Sequence, residues 1–290
     1  LRLDGPAYGQ LLDPWGGGRD VRERKIRVLH SISFIDDPTR ILRAARLEQR
    51  LGFDIEPRTL GLLHEALPLL HRVSGERLQN ELELIFHEPK RSAILARLDQ
   101  LGVLDAIHPA LTWDPWLEER FDTAVGFRPP PSWRLLEAPS MGELLYLLWC
   151  VRLEESSIDA LLDRFHMSLA VSRAIRYTAR LWREREGWSP TADASRTVAA
   201  FEDAPETSLV GLWLALGEDP ARESIARYLE TLRFVHPTVT GDDLRALGMP
   251  PGPAYSRVLH VLRQAWLDGQ VTDAAAERRL LEGLLEKPGG

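Results

Sequence analysis

From Pro38 onward apolar residues return at helical spacing. Ile41, Leu42, Ala45 and Leu51 mark one helix, Leu60, Leu63, Leu67 and Leu70 a second, Leu78, Leu82, Ile85 and Phe86 a third, and Ile94, Leu95, Leu98 and Leu101 a fourth. Pro57, Ser74 and Pro89 stand where helices should begin, and Gly52 and Gly102 where they should stop. The same texture predicts helices over 143–153, 158–165, 168–185, 209–216, 221–234, 253–268 and 273–285. The stretch from Leu111 to Ser140 is rich in Pro, Trp and Asp, with Pro129-Pro130-Pro131 at its centre, and reads as a linker or irregular cap. Before Pro38 the texture is strand and turn: a reversal between Leu1-Arg2-Leu3 and Gln10-Leu11-Leu12, then Gly16-Gly17-Gly18 and the strand-like Ile26-Arg27-Val28-Leu29. That is too little sheet to stand alone. The helices are unequal in length and no fixed period repeats, so a regular solenoid is not expected.

A chain of 290 residues, 44% hydrophobic, can bury one large core or two to three smaller ones. The net charge of -7 argues against a nucleic-acid coat over the whole surface, yet the first fifty residues hold ten Lys/Arg against seven Asp/Glu. A polyanion is therefore expected to be met mainly near the N-terminus. Cys150 is the single cysteine, which excludes an intrachain disulfide and a cysteine-rich metal site and fits a reducing, cytoplasmic setting. The most apolar window, Leu144 to Val151, falls far short of the ~20 residues of a membrane span, and no signal segment opens the chain. No membrane partner is expected. The sequence opens without Met in what reads as mid-strand, so residue 1 is expected to be a cut.

Four segments carry candidate chemistry. In Asp13-Pro14-Trp15-Gly16-Gly17-Gly18-Arg19 the consecutive glycines can turn sharply and act as a hinge, or simply form a surface turn. In Asp36-Asp37-Pro38-Thr39-Arg40, Pro38 suits the first helical position and makes Asp37 the expected N-cap. Arg40, Arg43, Arg46 and Arg50 then line one side of the helix. A solvated basic stripe has the same pattern. A carboxylate that accepts from an exocyclic amine, with a guanidinium three residues on, can instead read the edge of a nucleobase. In Ser74-Gly75-Glu76-Arg77, Ser74 should cap a helix whose Arg77 can pair with Glu81 one turn on or reach a neighbouring helix. Thr240-Gly241-Asp242-Asp243 and Gly248-Met249-Pro250-Pro251-Gly252-Pro253 form a capped start and a tight connection whose backbone N–H groups suit phosphate contacts.

In this order the four segments resemble those of the class II tRNA nucleotidyltransferases and bacterial poly(A) polymerases. The resemblance implies a mainly α fold: a small β remnant of a nucleotidyltransferase head (1–32), a nucleotide-selecting neck (33–112), a helical body (113–235) and a tRNA-binding tail (236–290). It implies nucleotide binding by Asp37, Arg40 and Arg43, a hinge at Gly16, Gly17 and Gly18, bracing by Arg46, Glu76 and Arg77, and RNA contacts by Arg50, Gly241, Gly248 and Gly252. The implied partners are the tRNA 3′ end and acceptor region with ATP and CTP as substrates, and the implied reaction is addition of CCA, or part of it, to tRNA. Asp36 stands where the family usually has Glu, and Gly18 and Arg19 replace apolar and acidic residues of the hinge. The family's Gly-Ser motif, its paired metal-binding carboxylates and its Arg-Arg-Asp motif have no counterpart in the sequence. The Mg²⁺ ligands are therefore expected in a head ahead of Leu1, and this chain alone is expected to be inactive. A poly(A) polymerase-type enzyme and a non-catalytic helical RNA-binding module are the alternatives. A metal-dependent phosphohydrolase fits poorly, because no His-Asp pair occurs and His64, His71, His87 and His108 lack ligand spacing.

Overall fold

A computed structural model describes residues 5–10, 12–188, 193–250 and 252–286. They fall in two compact units, Leu1–Gly126 with Ser140–Ser172, and Phe127–Pro139 with Arg173–Gly290.

The first unit holds α1 (Gly17–Glu23), β1 (Lys25–Ile26), α2 (Ser33–Asp36), α3 (Arg40–Leu51), β2 (Asp54–Ile55), α4 (Pro57–Ala66), α5 (Gly75–Phe86), α6 (Arg91–Gln100), α7 (Val103–Ile107), α8 (Pro115–Gly126), α9 (Met141–Cys150) and α10 (Glu155–Phe165). Strands β1 and β2 pair in parallel, Lys25 opposite Asp54 and Ile26 opposite Ile55. This is less sheet than the run Ile26 to Leu29 predicts. Part of the expected N-terminal reversal, Leu1 to Leu3 and Leu11, lies outside the described residues, and Gly5–Ala7 forms a 3-10 turn.

Local chemistry sets the helix ends. Glu56 accepts from the Thr59 N–H at 2.8 Å ahead of Pro57, and Ser74 accepts from the Arg77 N–H at 3.4 Å. Ser140 and Glu143 exchange bonds in a capping box that starts α9. Beyond Glu143, α9 is apolar on every face and lies in the core, where Tyr146 and Trp149 meet Phe86 with ring centroids 5.2 and 6.2 Å apart.

Helix α8 corrects the expectation of a linker over Leu111 to Ser140. Asp114 accepts from the Leu117 N–H at 2.8 Å, Pro115 takes the first helical position, and Leu117, Phe121 and Ala124 bury one face. Their three- and four-residue spacing was present in the sequence beneath the density of Pro and Trp.

Helix α11 (Leu169–Glu184) starts in the first unit and continues into the second. The second unit adds α12 (Ala194–Phe201), α13 (Glu206–Leu216), α14 (Ala221–Glu230), α15 (Gly241–Ala246), α16 (Pro253–Leu267) and α17 (Ala274–Glu286). Helix α12 falls where the sequence pattern gave no helix. Trp133, from a 3-10 turn, packs on Trp213 with centroids 5.2 Å apart, and Arg233 ties that turn to α13 through Glu206 at 2.5 Å. The last three helices share a core of Leu244, Leu262 and Leu281. Glu277, fully buried on α17, accepts from the backbone N–H groups of Thr238 and Val239 at 2.9 and 3.4 Å and fixes the approach to α15. Among the described residues no helix is long and apolar enough to cross a membrane.

Candidate functional site

Regular α-helix begins at Arg40, later than Pro38 predicts. Asp37 is extended, Pro38 and Thr39 form a tight turn closed by the Arg40 N–H on the Asp37 carbonyl at 3.1 Å, and Thr39 is the formal cap. Asp37 still does a cap's work, because its Oδ1 accepts from the Thr39 N–H at 3.1 Å and the Thr39 hydroxyl at 2.7 Å. Arg77, on α5, donates from Nη2 to the same oxygen at 2.7 Å. Burial pushes the Asp37 carboxyl upward. The Thr39 hydroxyl and N–H together with the Arg77 guanidinium outweigh it and hold the group below the usual carboxylate range.

Arg40 turns back to α2, where its Nη1 donates to the Ser33 hydroxyl at 2.8 Å and to the Ser33 carbonyl at 3.3 Å. Arg43 donates to Glu81 Oε1 at 2.9 Å. Arg46 and Arg50 share Glu88, at 3.5 and 3.6 Å. The arginine stripe of α3 is therefore held from both sides: by α2 at one end, and by α5 and the turn after it along the rest.

Of the two kinds of partner expected for Arg77, a neighbouring element is the one it takes: Arg77 bonds Asp37, and Glu81 serves Arg43. Glu76 stays on the exposed face of the first turn of α5, while the nearly buried Glu81 and Glu88 brace the stripe. Ser33, Thr39 and Glu88 were not singled out by sequence reasoning, and Glu81 was named only as a partner for Arg77. For Thr39 a signal existed, since Asp-Pro-Thr is the pattern of an aspartate that bonds the backbone two residues on. Nothing in the sequence marked the two glutamates as partners of the α3 arginines.

The N-terminus of α5 is set by close packing. Gly75 lies so near the end of α10 that a Cβ would come within 2.6 Å of the Arg164 carbonyl oxygen and the Phe165 carbonyl carbon. Arg164 donates to the carbonyls of Val73 at 3.0 Å and Leu70 at 2.9 Å, and Gln79 bonds the Phe165 carbonyl. These contacts position the turn that carries Arg77.

Of the expected hinge glycines, Gly16 takes the left-handed conformation with φ 74° and precedes α1, while Gly17 and Gly18 lie in its first turn. Their N–H groups donate to the two carboxylate oxygens of Asp13 at 2.7 and 2.8 Å. In the second unit Gly241 opens α15 behind the Thr240 and Asp243 capping box, and Gly248 donates to the Arg245 carbonyl at 2.9 Å just past its end. Gly252 precedes α16 in extended backbone, and Pro251 lies outside the described residues.

Residues 52–114 match the family model described as "Probable RNA and SrmB- binding site of polymerase A". The CC-adding tRNA nucleotidyltransferase of Geobacter sulfurreducens is 31% identical over 96% of this chain and 70% of its own length. The chain belongs to the tRNA nucleotidyltransferase family. The A-adding tRNA nucleotidyltransferase of the same organism is 31% identical over 97% of the chain. The chain spans 33% of that relative's length, and 59% of the length of the A-adding enzyme of Halalkalibacterium halodurans. Among solved structures, a CCA-adding enzyme in complex with CTP superposes with a TM-score of 0.75 at 27% identity, covering 98% of this chain and 69% of that one. The Thermotoga maritima CCA-adding enzyme complexed with tRNA gives 0.71 at 26% identity, covering 98% and 70%. As a family member, the chain has the mainly helical architecture that the motif resemblance implied.

Proposed function

We propose that this chain is the nucleotide-selecting and tRNA-holding portion of a cytoplasmic enzyme that adds CCA, or part of it, to tRNA 3′ ends from CTP and ATP. The observation that carries the reading is the placement of an acceptor held in its charged form, Asp37, and a donor, Arg40, at the two ends of the tight turn that leads into α3. Adenine and cytosine both present an amine donor beside a ring-nitrogen acceptor. Guanine and uracil present the reverse, an oxygen acceptor beside an N–H. A carboxylate beside a guanidinium is complementary to the first arrangement and opposed to the second. Arg43, held by Glu81, extends the donor surface from the next turn.

In this reading residues 1–32 belong to the head, 33–112 form the neck, 113–235 the body and 236–290 the tail. The glycines at 16–18 permit reorientation between additions. Arg50, exposed beyond Glu88, and the backbone at Gly241, Gly248 and Gly252 contact RNA phosphates. Transfer to a 3′ hydroxyl in this family relies on Mg²⁺ held by carboxylates. Among the described residues no group of three His, Cys, Asp or Glu could hold a metal ion. In this reading the chain's share is base selection and RNA contacts, and no nucleotide transfer is expected of it alone.

The test is nucleotide incorporation by the intact polypeptide, supplied separately with ATP and CTP, on tRNAs that lack CCA or end in CC. Arg40→Ala is expected to relax discrimination among the four nucleotides by about tenfold or more while tRNA binding changes little. An unchanged nucleotide preference in that variant refutes the reading. Incorporation by residues 1–290 alone refutes the division of labour.

A further inference from the structure

Each of the two base-reading side chains is held at one end only. Three protein donors converge on Asp37 Oδ1: the Thr39 N–H at 3.1 Å, the Thr39 hydroxyl at 2.7 Å and Arg77 Nη2 at 2.7 Å. They exhaust the lone pairs of that oxygen. No described residue donates to Oδ2. Arg40 has the matching asymmetry, with Nη1 spent on the Ser33 hydroxyl and carbonyl and no described acceptor on Nε or Nη2. The residues that do the holding are buried, Thr39 to 2% exposure and Ser33 to 6%, so water cannot readily replace either.

We propose that Ser33 and Thr39 are positioning residues that set which nucleobases are accepted, by leaving Asp37 only one open acceptor, Oδ2, and Arg40 only one open donor edge, Nε and Nη2. This inference rests on the reading of Asp37 and Arg40 as the base-reading pair. A free carboxylate rotates about its last torsion, and a free guanidinium slides along its neighbours. Either movement would let the pair adapt to the reversed pattern of uracil or guanine. Pinning one end of each removes that adaptability at no cost when the nucleotide arrives. Arg77 contributes to the same clamp, but it is half exposed and also orders α5. Thr39 and Ser33 isolate the effect more cleanly.

The experiment compares kcat/KM for CTP, ATP, UTP and GTP in the intact polypeptide bearing Thr39→Val, Thr39→Ser, Ser33→Ala or Asp37→Ala. Thr39→Val keeps the side-chain shape and removes the hydroxyl. It is expected to lower the preference for CTP over UTP and for ATP over GTP by about tenfold or more, as is Ser33→Ala. Thr39→Ser, which restores the hydroxyl, is expected to stay within about threefold of the parent. A purely structural role would depress all four nucleotides together and leave these ratios unmoved. If Asp37→Ala abolishes the preference while Thr39→Val and Ser33→Ala retain it, the inference is overturned. If Asp37→Ala itself leaves the preference intact, the base-reading assignment falls first. Should Thr39→Val not fold, Ser33→Ala alone decides, since it deletes a single oxygen.

Discussion

Arg77 lies forty residues beyond Asp37, yet its Nη2 donates to Asp37 Oδ1 across 2.7 Å. The pair joins the turn before α3 to the first turn of α5. Against the upward push of burial, the Thr39 hydroxyl and N–H bonds, and after them Arg77, hold the folded-state pKa of Asp37 below its unfolded value, so Arg77's share of the stability is complete above the unfolded pKa and is lost as pH falls through the folded one. Arg77 is 52% exposed at its side chain, which caps the effect near that of a surface pair. Arg77→Ala is expected to cost about 0.5–1 kcal/mol at neutral pH. Denaturant unfolding at a series of pH values should show the two proteins converging as pH falls below the usual carboxylate range; a gap that stays constant with pH would mean the loss is one of packing.

Gly75 is required by contact and not by its own dihedral. Because a Cβ there meets the backbone of α10 at 2.6 Å, neither neighbour can yield by rotating a side chain. Gly75→Ala should cost about 1–3 kcal/mol, measured as a drop in Tm. It should also loosen Arg77. Gly142→Ala is a useful contrast: its nearest neighbour, at 2.3 Å, is the Glu83 carboxylate, the end of a flexible side chain, and a smaller loss is expected.

The same Glu83 makes a pH prediction of opposite sign to that of Asp37. Burial raises its pKa and the nearby Glu143 adds to the effect, against an opposing pull from His87. A carboxyl raised on folding favours the native state only while protonated, so its penalty grows as pH rises from the unfolded value through the folded one. Glu83→Gln should therefore be more stable than the parent at neutral pH, with the advantage gone below about pH 4. Equal stability at all pH values would show that Glu83 pays no such penalty.

Glu48 is the most buried anchor of α3. It accepts from Arg97 Nε at 2.6 Å and from the Ile55 N–H at 3.1 Å, binding α3 to α6 and to β2. Glu48→Ala strands both partners, and a loss of about 3 kcal/mol is expected in chemical denaturation. A loss below about 1 kcal/mol would show that water reaches the vacated site.

Burial pushes the Cys150 thiol up to about 12. The native protein should leave a thiol reagent such as a disulfide dye unreacted at pH 8 and consume one equivalent after denaturation. Prompt native reaction would reveal opening of α9 from the core.

Helices α3 and α5 were legible because Ile41, Leu42 and Ala45, or Leu78, Leu82 and Ile85, repeat with the period of a turn, and one residue's burial predicts the next. Caps such as Ser74 and Thr240 were legible for the same local reason. Helix α8 escaped because the prolines and tryptophans around it resemble an irregular stretch, although Pro115 was marking a helix start. The candidate site was legible in its members and not in its partners. Arg77 has a carboxylate four residues away, Glu81, and takes one forty residues away. Nothing in a one-dimensional pattern orders those two options, since the choice depends on how α5 is docked by Gly75 and Arg164. The bracing glutamates were hidden for that reason too.

The carboxylate of Asp13 changes what the three glycines after it can do. A flexible joint made of bare glycine drifts under thermal force, whereas this one is latched by two charge-assisted bonds to Gly17 and Gly18. Any swing at that point would first have to break both bonds, so they favour a single resting pose of the segment.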